Sequence, residues 1–278
     1  MAREIAPERV MEQALLTEYR KAIWRPFMRA VHEYRLIRPG DRVAVCVSGG
    51  KDSLLLAVLM DILRRRGETP FQVVNLAMDP GYRPEHRRRL EENLARLHLP
   101  YTLFESDVLE VAGAEDRRPC FLCARMRRGC LYNKAAALGC NKIALGHHFD
   151  DVIETTLMAM LHGGQIQGMP PMRRADNHPG MALIRPLYRV READILAWRD
   201  AFGVECLRCA CRFAADADRD AENSRRQSVK ALIRELSRSD PKVPANIFNS
   251  VRRVDLDSLV GWKLRGERHT FLENWEDS

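Results

Sequence analysis

No stretch of this chain stays apolar for the about 20 residues a helix needs to cross a bilayer; its apolar runs reach only strand or buried-helix length. A transmembrane segment is excluded on that reading. The first residues, Met1-Ala2-Arg3-Glu4, bring in an acid early and are not followed by a continuous apolar core, which argues against a secretory signal and for a cytoplasmic protein. No G-x-x-x-x-G-K-[ST] motif occurs, and that excludes an ordinary Walker-type NTPase. Internal repeats and low-complexity tracts are also missing, which removes solenoids and most disorder. What is present is ordinary globular material: 278 residues with 46% hydrophobic and 30% charged side chains, enough to bury a large core in one α/β domain with extensions.

Lys and Arg outnumber Asp and Glu by 45 to 38, for a net charge of +7. The excess is clustered, at residues 64–66, 87–89 and 127–128 and at Arg117-Arg118, Arg173-Arg174, Arg225-Arg226 and Arg252-Arg253, with Arg125 nearby. Any single cluster is equally well a solvated helix face. Several of them flank the glycine, histidine and cysteine motifs, which favours a polyanion, with RNA the favoured large partner. Eight cysteines in a cytoplasmic chain read as metal ligands, redox groups or core fillers rather than disulfides.

Residues 8–37 carry apolar positions at helical spacing (Ala22, Ile23, Phe27, Val31, Tyr34) and end at Pro39-Gly40-Asp41. Residues 42–47 are a short β-branched run, as in a parallel strand buried on both faces. After a glycine turn, Leu54, Leu55, Val58, Leu59, Ile62 and Leu63 recur with helical period. The alternation repeats: strand 71–78, helix 84–97, strand 101–105, a cysteine-bearing segment, helix 131–138, strand 142–145 and a helix to about His162. A long loop over 163–180, a last strand at 182–186 and a helix at 191–202 come next. The predicted fold is α/β, a doubly wound mainly parallel sheet. It divides into an N-terminal helical extension (1–40), a catalytic domain (41–213) and a C-terminal helical, arginine-rich extension (214–278).

Chemistry concentrates at three places. The first is Ser48-Gly49-Gly50-Lys51-Asp52-Ser53, between a strand and a helix. A nucleotide phosphate needs backbone N–H donors at close approach, which demands glycine, and the N-terminus of the next helix adds a favourable dipole. Gly49 and Gly50 permit the turn, Lys51 neutralises charge, Ser48 and Ser53 donate hydroxyls, and Asp52 is available to orient the loop or to act through Mg²⁺. This hexapeptide resembles the S-G-G-x-D-S signature of the PP-loop superfamily. The resemblance implies an adenine-nucleotide α-hydrolase-like fold and an enzyme that transfers AMP from ATP to a substrate oxygen and releases pyrophosphate. The second place is Gly146-His147-His148-Phe149-Asp150-Asp151, another strand-to-helix loop, which resembles the G-H-x-x-D-D segment of PP-loop tRNA-modifying enzymes. Gly146 and His147 are read as ATP contacts and Asp151 as a Mg²⁺ and ATP residue; the plainer reading has Asp150 capping the helix while His148 packs.

The third place is the cysteines. Cys120 and Cys123 form one C-x-x-C; Cys206, Cys209 and Cys211 form a later group. From spacing alone, a structural zinc site and an iron–sulfur cluster stand level. Cys46, Cys130 and Cys140 read as core. Residues 120–129, Cys-Phe-Leu-Cys-Ala-Arg-Met-Arg-Arg-Gly, resemble the C-S-L-C-x-R-L-R-R-G element of the tRNA 2-thiocytidine synthetase family. The likeness continues through residues 142–148, Gly168-Met169-Pro170-Pro171 and Ile184-Arg185-Pro186-Leu187, covering about residues 40–211 in order. It implies a [4Fe–4S] cluster held by Cys120, Cys123 and Cys209, with Cys206 as fallback, and RNA contacts by Arg125, Arg127, Arg128, Arg173 and Arg174. The chain departs from the family at Met78-Asp79-Pro80-Gly81-Tyr82, where a longer loop is expected. It departs again at Cys209-Ala210-Cys211-Arg212-Phe213, which is unlike C-N-L-C-G.

The implied reaction is ATP-dependent thiolation of tRNA. The oxygen at carbon 2 of a pyrimidine, cytidine by resemblance, takes AMP, and sulfur then displaces that oxygen. Catalytic roles fall to Asp52, Asp151, Cys120, Cys123 and Cys209, the cofactors are the cluster, ATP and Mg²⁺, and the partners are tRNA and a sulfur donor such as a cysteine desulfurase. A homodimer sharing one tRNA fits the basic surface. The alternatives are a PP-loop amine- or amide-forming tRNA enzyme with structural cysteines, and a non-catalytic ATP-responsive RNA-binding iron–sulfur protein.

Overall fold

The computed structural model describes residues 7–113, 119–207 and 221–275. The chain opens with α1 (Pro7–Leu16) and α2 (Trp24–Glu33), then β1 (Arg42–Val47), α3 (Lys51–Arg66), β2 (Gln72–Asp79), α4 (Pro84–Arg96) and β3 (Tyr101–Glu105). Next are α5 (Val108–Gly113), α6 (Pro119–Ala137), β4 (Lys142–Ala144), α7 (Phe149–Gly163), β5 (Met172–Arg174), β6 (Ala182–Ile184) and α8 (Glu192–Ala201). The C-terminal part adds α9 (Ala221–Ser239), α10 (Val243–Ser250), β7 (Gly261–Leu264), β8 (Glu267–Thr270) and α11 (Leu272–Trp275).

The main sheet runs β3-β2-β1-β4-β6-β5, parallel except for β5, which pairs antiparallel with β6. Strand β1 is buried at five of its six positions because both its faces are covered. Val43, Val45 and Val47 point into the main core with α3 and α8, while Ala44 and Cys46 meet Tyr132 and Ala135 of α6 on the other face. That two-sided burial is why β1 is continuously apolar rather than alternating. Helix α3 is buried at ten positions almost all round, as expected for a helix enclosed by sheet and neighbouring helices. A third apolar cluster joins Ala30 of α2, Val152 and Ile153 of α7, Tyr188, Val229 and Ile233 of α9 and Phe248 of α10. Phe248 stacks on Phe149 with centroids 4.6 Å apart. This cluster docks the C-terminal helices on α7. Among the described residues, no helix is long and apolar enough to cross a membrane.

Three elements differ from the sequence expectation. The C-x-x-C segment and the helix expected at 131–138 are one 19-residue helix, α6. Proline suits its first turn, Gly129 is accommodated within the helix, and the helix ends before Gly139, which takes a positive φ of 72°. The loop expected over 163–180 contains β5, so Arg173 and Arg174 lie on an edge strand, where charge is common. The C-terminal extension, expected to be helical, includes the β7–β8 hairpin. Its tip residues Arg265 and Gly266 both have positive φ, 51° and 98°, the geometry of a tight hairpin turn; an Arg-Gly pair is a weak signal for it.

One buried ion pair ties β1 to β4. Lys142 Nζ donates to Asp41 Oδ2 at 2.5 Å and to the Leu36 carbonyl at 2.9 Å, while Asn141 donates to the other Asp41 oxygen. Both charged side chains are under a tenth exposed. Burial pushes the Asp41 carboxyl up, but Lys142, Asn141 and the Arg38 N–H outweigh it and hold it below the usual carboxylate range. A depressed carboxylate stabilises the fold above its unfolded pKa, and that contribution is lost as pH falls through the lower folded value. Lys142→Met strands the carboxylate and is expected to cost about 3–5 kcal/mol in urea unfolding at neutral pH. The double variant Asp41→Asn/Lys142→Met recovers most of that loss. Equal losses in the single and double variants would show that the two charges are not coupled.

Candidate active site

The first three strands run outward from β1 in one direction, and β4 returns on the other side of β1. The carboxyl ends of β1 and β4 therefore form the switch point where open α/β sheets bind ligands. The loop 48–50 leaves β1 there and the loop 145–148 leaves β4. The two loops touch: a Cβ on Gly146 would lie 3.0 Å from the Asp52 carbonyl carbon and 3.1 Å from the Ser53 nitrogen. Gly49 takes φ of +81°, open to glycine and strained for other residues. Its carbonyl accepts from the Leu207 N–H at 3.0 Å, which brings the residue after Cys206 onto the turn.

Within the turn, the Ser48 N–H donates to Ser53 Oγ at 3.1 Å, and Ser53 Oγ donates to the Gly50 carbonyl at 2.9 Å. Lys51 Nζ lies 3.1 Å from Asp52 Oδ2 and 3.2 Å from Glu192 Oε1. Burial alone would lower the Lys51 pKa; Asp52 and Glu192 more than offset it, so the ammonium stays charged. Asp52 Oδ1 is buried with no hydrogen-bond partner, 3.7 Å from His148 Nε2.

His148 is the N-cap of α7: its Nδ1 accepts from the Asp151 N–H at 3.4 Å, and Asp151 Oδ2 accepts from the His148 N–H at 3.0 Å. Asp150, the residue the plainer reading makes the cap, instead accepts from the Glu192 N–H at 2.7 Å and pairs with Arg191 at 3.0 Å. It anchors the start of α8 and leaves Asp151 facing the cleft. Asp52 and Asp151 both lie within 4 Å of His148 Nε2.

The cleft encloses about 460 Å³ and is lined by Ser48, Gly50, Asp52, Ser53, Gly146, His147 and Asp151 on the loop side and by Arg127, Arg128, Leu131 and Tyr132 of α6 on the other. Burial depresses the His147 imidazole to about 4; Asp151 opposes this, and Arg185, His148 and Arg226 add to it. His147 is therefore a neutral group in the wall. Cys46 also lines the cleft, but burial, reinforced by Cys140, pushes its thiol up to about 12, so it is a wall group rather than a nucleophile.

Cys123 is buried on α6 beside Val108, Leu109, Met126 and Cys130. Positions 120, 123, 127 and 131 fall on one stripe of that helix by its 3.6-residue period. Arg127 and Leu131 of that stripe reach the cleft. The side chain of Cys120, and Cys209 and Cys211 entirely, lie outside the described residues. Cys206 is half-buried, with its thiol 3.6 Å from the Val204 carbonyl. Arg125 is exposed one turn from the cleft residues; Arg173 and Arg174 are exposed on β5, and Arg173 is paired with Asp176 at 2.7 Å. Among the described residues, no three His, Cys, Asp or Glu side chains gather as a ready metal site.

Several residues in this site are assigned to it by no pattern in the sequence, although Arg226 belongs to one of the basic pairs. Glu192 on α8 and Arg226 and Lys230 on α9 meet the loops through the fold alone: Arg226 lies 3.4 Å from Asp151 Oδ1, and Lys230 2.5 Å from Glu192 Oε2. Arg185 donates to the Pro170 carbonyl at 2.5 Å, so the two proline motifs at 168–171 and 184–187 are one structural unit.

A glycine turn at the end of β1, a second acid-bearing loop at the end of β4 and a cleft between them define a PP-loop enzyme. The family model of the PP-loop domain matches residues 21–234. Over 242 residues the chain is 38% identical to the tRNA-cytidine(32) 2-sulfurtransferase of Alkalilimnicola ehrlichii, covering 84% of this chain and 74% of that protein. It is 38% identical over 232 residues to the enzyme of the same name from Citrifermentans bemidjiense, covering 81% and 88%. The chain belongs to the family of the tRNA-cytidine 2-sulfurtransferases. Its fold is similar to that of the U34-tRNA thiolase NcsA from Methanococcus maripaludis, solved with its [4Fe-4S] cluster, at a TM-score of 0.64 and 19% identity, covering 87% of this chain and 82% of that one.

Gly146→Ala places a methyl against the backbone of Asp52 and Ser53, which has no flexible end to yield. It should weaken ATP binding roughly tenfold in an equilibrium titration, since small misplacements at such sites are costly. Because His147 stays neutral when folded, the unfolded chain takes up the extra proton between its ordinary pKa near 6.5 and about 4. Stability is therefore lost as pH falls through that window. His147→Gln should flatten this part of the stability–pH profile, as read by urea midpoints from pH 4 to 7.

Proposed function

We propose that this protein is an ATP-dependent tRNA sulfurtransferase. It transfers AMP from ATP to the oxygen at carbon 2 of a cytidine in tRNA and then exchanges that oxygen for sulfur. Position 32, named for the relatives, is the proposed site. The observation that carries the reading is the meeting of the two switch-point loops at one cleft whose opposite wall is α6, the helix that bears Cys120 and Cys123.

The turn at residues 48–53 holds the phosphates through its N–H groups, its two hydroxyls and Lys51. The cytidine oxygen attacks the α-phosphate, the bond to the β-phosphate breaks, and pyrophosphate leaves with the electron pair. Asp52 and Asp151 suit Mg²⁺: the buried, unpartnered oxygen of Asp52 calls for a positive ligand, and hard carboxylate oxygens match that ion. Mg²⁺ would offset the charge of the departing pyrophosphate. His147 and Gly146 form the wall against which ATP lies. Sulfur at the sulfide level then adds to carbon 2, AMP departs with the original oxygen, and loss of a proton leaves the thiocarbonyl.

Cys120, Cys123 and Cys209, with Cys206 as fallback, would hold the [4Fe–4S] cluster, which supplies the site for the incoming sulfur. The thiol character of this donor set, and the position of Cys120 and Cys123 on α6, the helix whose Arg127 and Leu131 line the cleft, support that assignment. Arg125, Arg127 and Arg128 border the same region and suit RNA phosphate, as do Arg173 and Arg174 on the edge strand; such contacts weaken steeply with salt. A cysteine desulfurase fits as the sulfur donor, and the cytoplasm as the compartment.

The test is mass spectrometry of tRNA nucleosides from cells carrying the wild-type gene, Cys123→Ala or Asp151→Asn in place of the chromosomal copy. Both variants should lose 2-thiocytidine. The purified Cys123→Ala protein should also lose the brown chromophore while still binding ATP. Retention of normal 2-thiocytidine by Cys123→Ala would reject the thiolate role.

A further inference from the structure

Lys51 has two carboxylates within 3.2 Å, Asp52 and Glu192, and this bears on how it can serve a phosphate. Glu192 is no accident of side-chain reach. Its backbone N–H is held by Asp150 at 2.7 Å, so the first turn of α8 is fixed against the second loop. Its carboxylate is bracketed, with Lys51 on Oε1 at 3.2 Å and Lys230 on Oε2 at 2.5 Å. Burial pushes its pKa up, but Lys230 and Lys51 together hold it down at about 2, so it is ionised at any working pH. A permanent negative charge beside the phosphate-binding ammonium opposes nucleotide binding unless something else neutralises it.

Lys230 is that counter-charge. It sits on α9, in a part of the chain remote from both loops, and α9 is held down by the apolar contacts of Val229 and Ile233 against Val152 and Ile153. One turn before it, Arg226 reaches Asp151 at 3.4 Å and Glu154 at 3.8 Å. Glu154 is buried, and Lys230 lies 4.0 Å from it. The facing charges are thus Lys51, Lys230 and Arg226 against Asp52, Asp151, Glu154 and Glu192.

We propose that Lys230 is a positioning residue of the nucleotide site: by neutralising Glu192 it frees Lys51 to bind the phosphates of ATP, while Glu192 still fixes where that ammonium stands. Helix α9 thereby completes the ATP site without touching the nucleotide. The inference rests on the reading of Lys51 as a phosphate ligand and not on sulfur being the nucleophile.

The experiment is equilibrium dialysis of the full chain with labelled ATP and Mg²⁺, comparing wild type, Lys230→Met, Lys230→Arg, Glu192→Gln and the double variant Lys230→Met/Glu192→Gln. Lys230→Met leaves the charge of Glu192 to Lys51 alone and should raise the Kd for ATP roughly tenfold, within the range of coupling between contacting charged neighbours. Lys230→Arg keeps the counter-charge and should stay within about threefold of wild type. In the double variant the charge to be neutralised is gone, so the Kd should return most of the way to wild type. A merely structural lysine would give the opposite pattern, the double variant binding no better than Lys230→Met. That result, or an unchanged Kd in Lys230→Met, overturns the proposal. Far-UV dichroism and urea midpoints identify any variant that fails to fold; should Lys230→Met be one, Lys230→Gln carries the same comparison. If wild type itself binds no ATP, the reading of the glycine turn falls as well. If it binds ATP but makes no thiolated tRNA, only the sulfur reading falls.

Discussion

The contact on which the site depends is between two backbones. Gly146, leaving β4, lies so close against Asp52 and Ser53, at the start of α3, that a side chain there would press on their backbone. Because β1 and β4 are adjacent and parallel, their two loops are bound to meet, and the missing Cβ decides how near they come. Three functional groups then share a few ångströms: Asp52 and Asp151 on either side of His148 Nε2. The Asp41–Lys142 pair fixes the same two strands at their opposite ends, so both ends of the β1–β4 seam are pinned. Geometry of this kind is cheap to hold because it is carried by strands and helix starts rather than by long loops.

The electrostatics stem from that closeness. Lys51, Arg226 and Lys230 each have a carboxylate against them, Asp52, Asp151 or Glu192. Arg226 and Lys230 come from α9, which Val229 and Ile233 hold against α7. Apolar contacts behind α7 thus determine where two of the cations facing these carboxylates stand.

The fold is readable in the sequence wherever a local pattern has a local cause. The buried strand β1, the glycine turn, the periodic leucines of α3 and the β2–α4–β3 unit all announce themselves within a few residues. The second loop is readable as a site but not in its roles, because whether Asp150 or His148 caps α7 depends on Arg191 and the Glu192 N–H, some 41 residues further on. Glu192, Arg226 and Lys230 are invisible for the same reason: Asp151 and Arg226 are 75 residues apart in sequence. Strand β5 is hidden by its charge and shortness, and the β7–β8 hairpin by an Arg-Gly tip in place of the usual Asn-Gly. The family likeness, carried by several short motifs in order, supplies something periodicity cannot: which chemistry the cleft serves.

Phe248 separates two meanings of the word domain in this protein. The segment shared with the PP-loop family ends at residue 234, yet Phe248, well beyond that limit, is buried between Phe149 and Tyr188 at the back of α7. The packed unit therefore extends beyond the segment that the family model matches. Without an apolar plug in this socket, the helix that carries the acid Asp151 loses its backing.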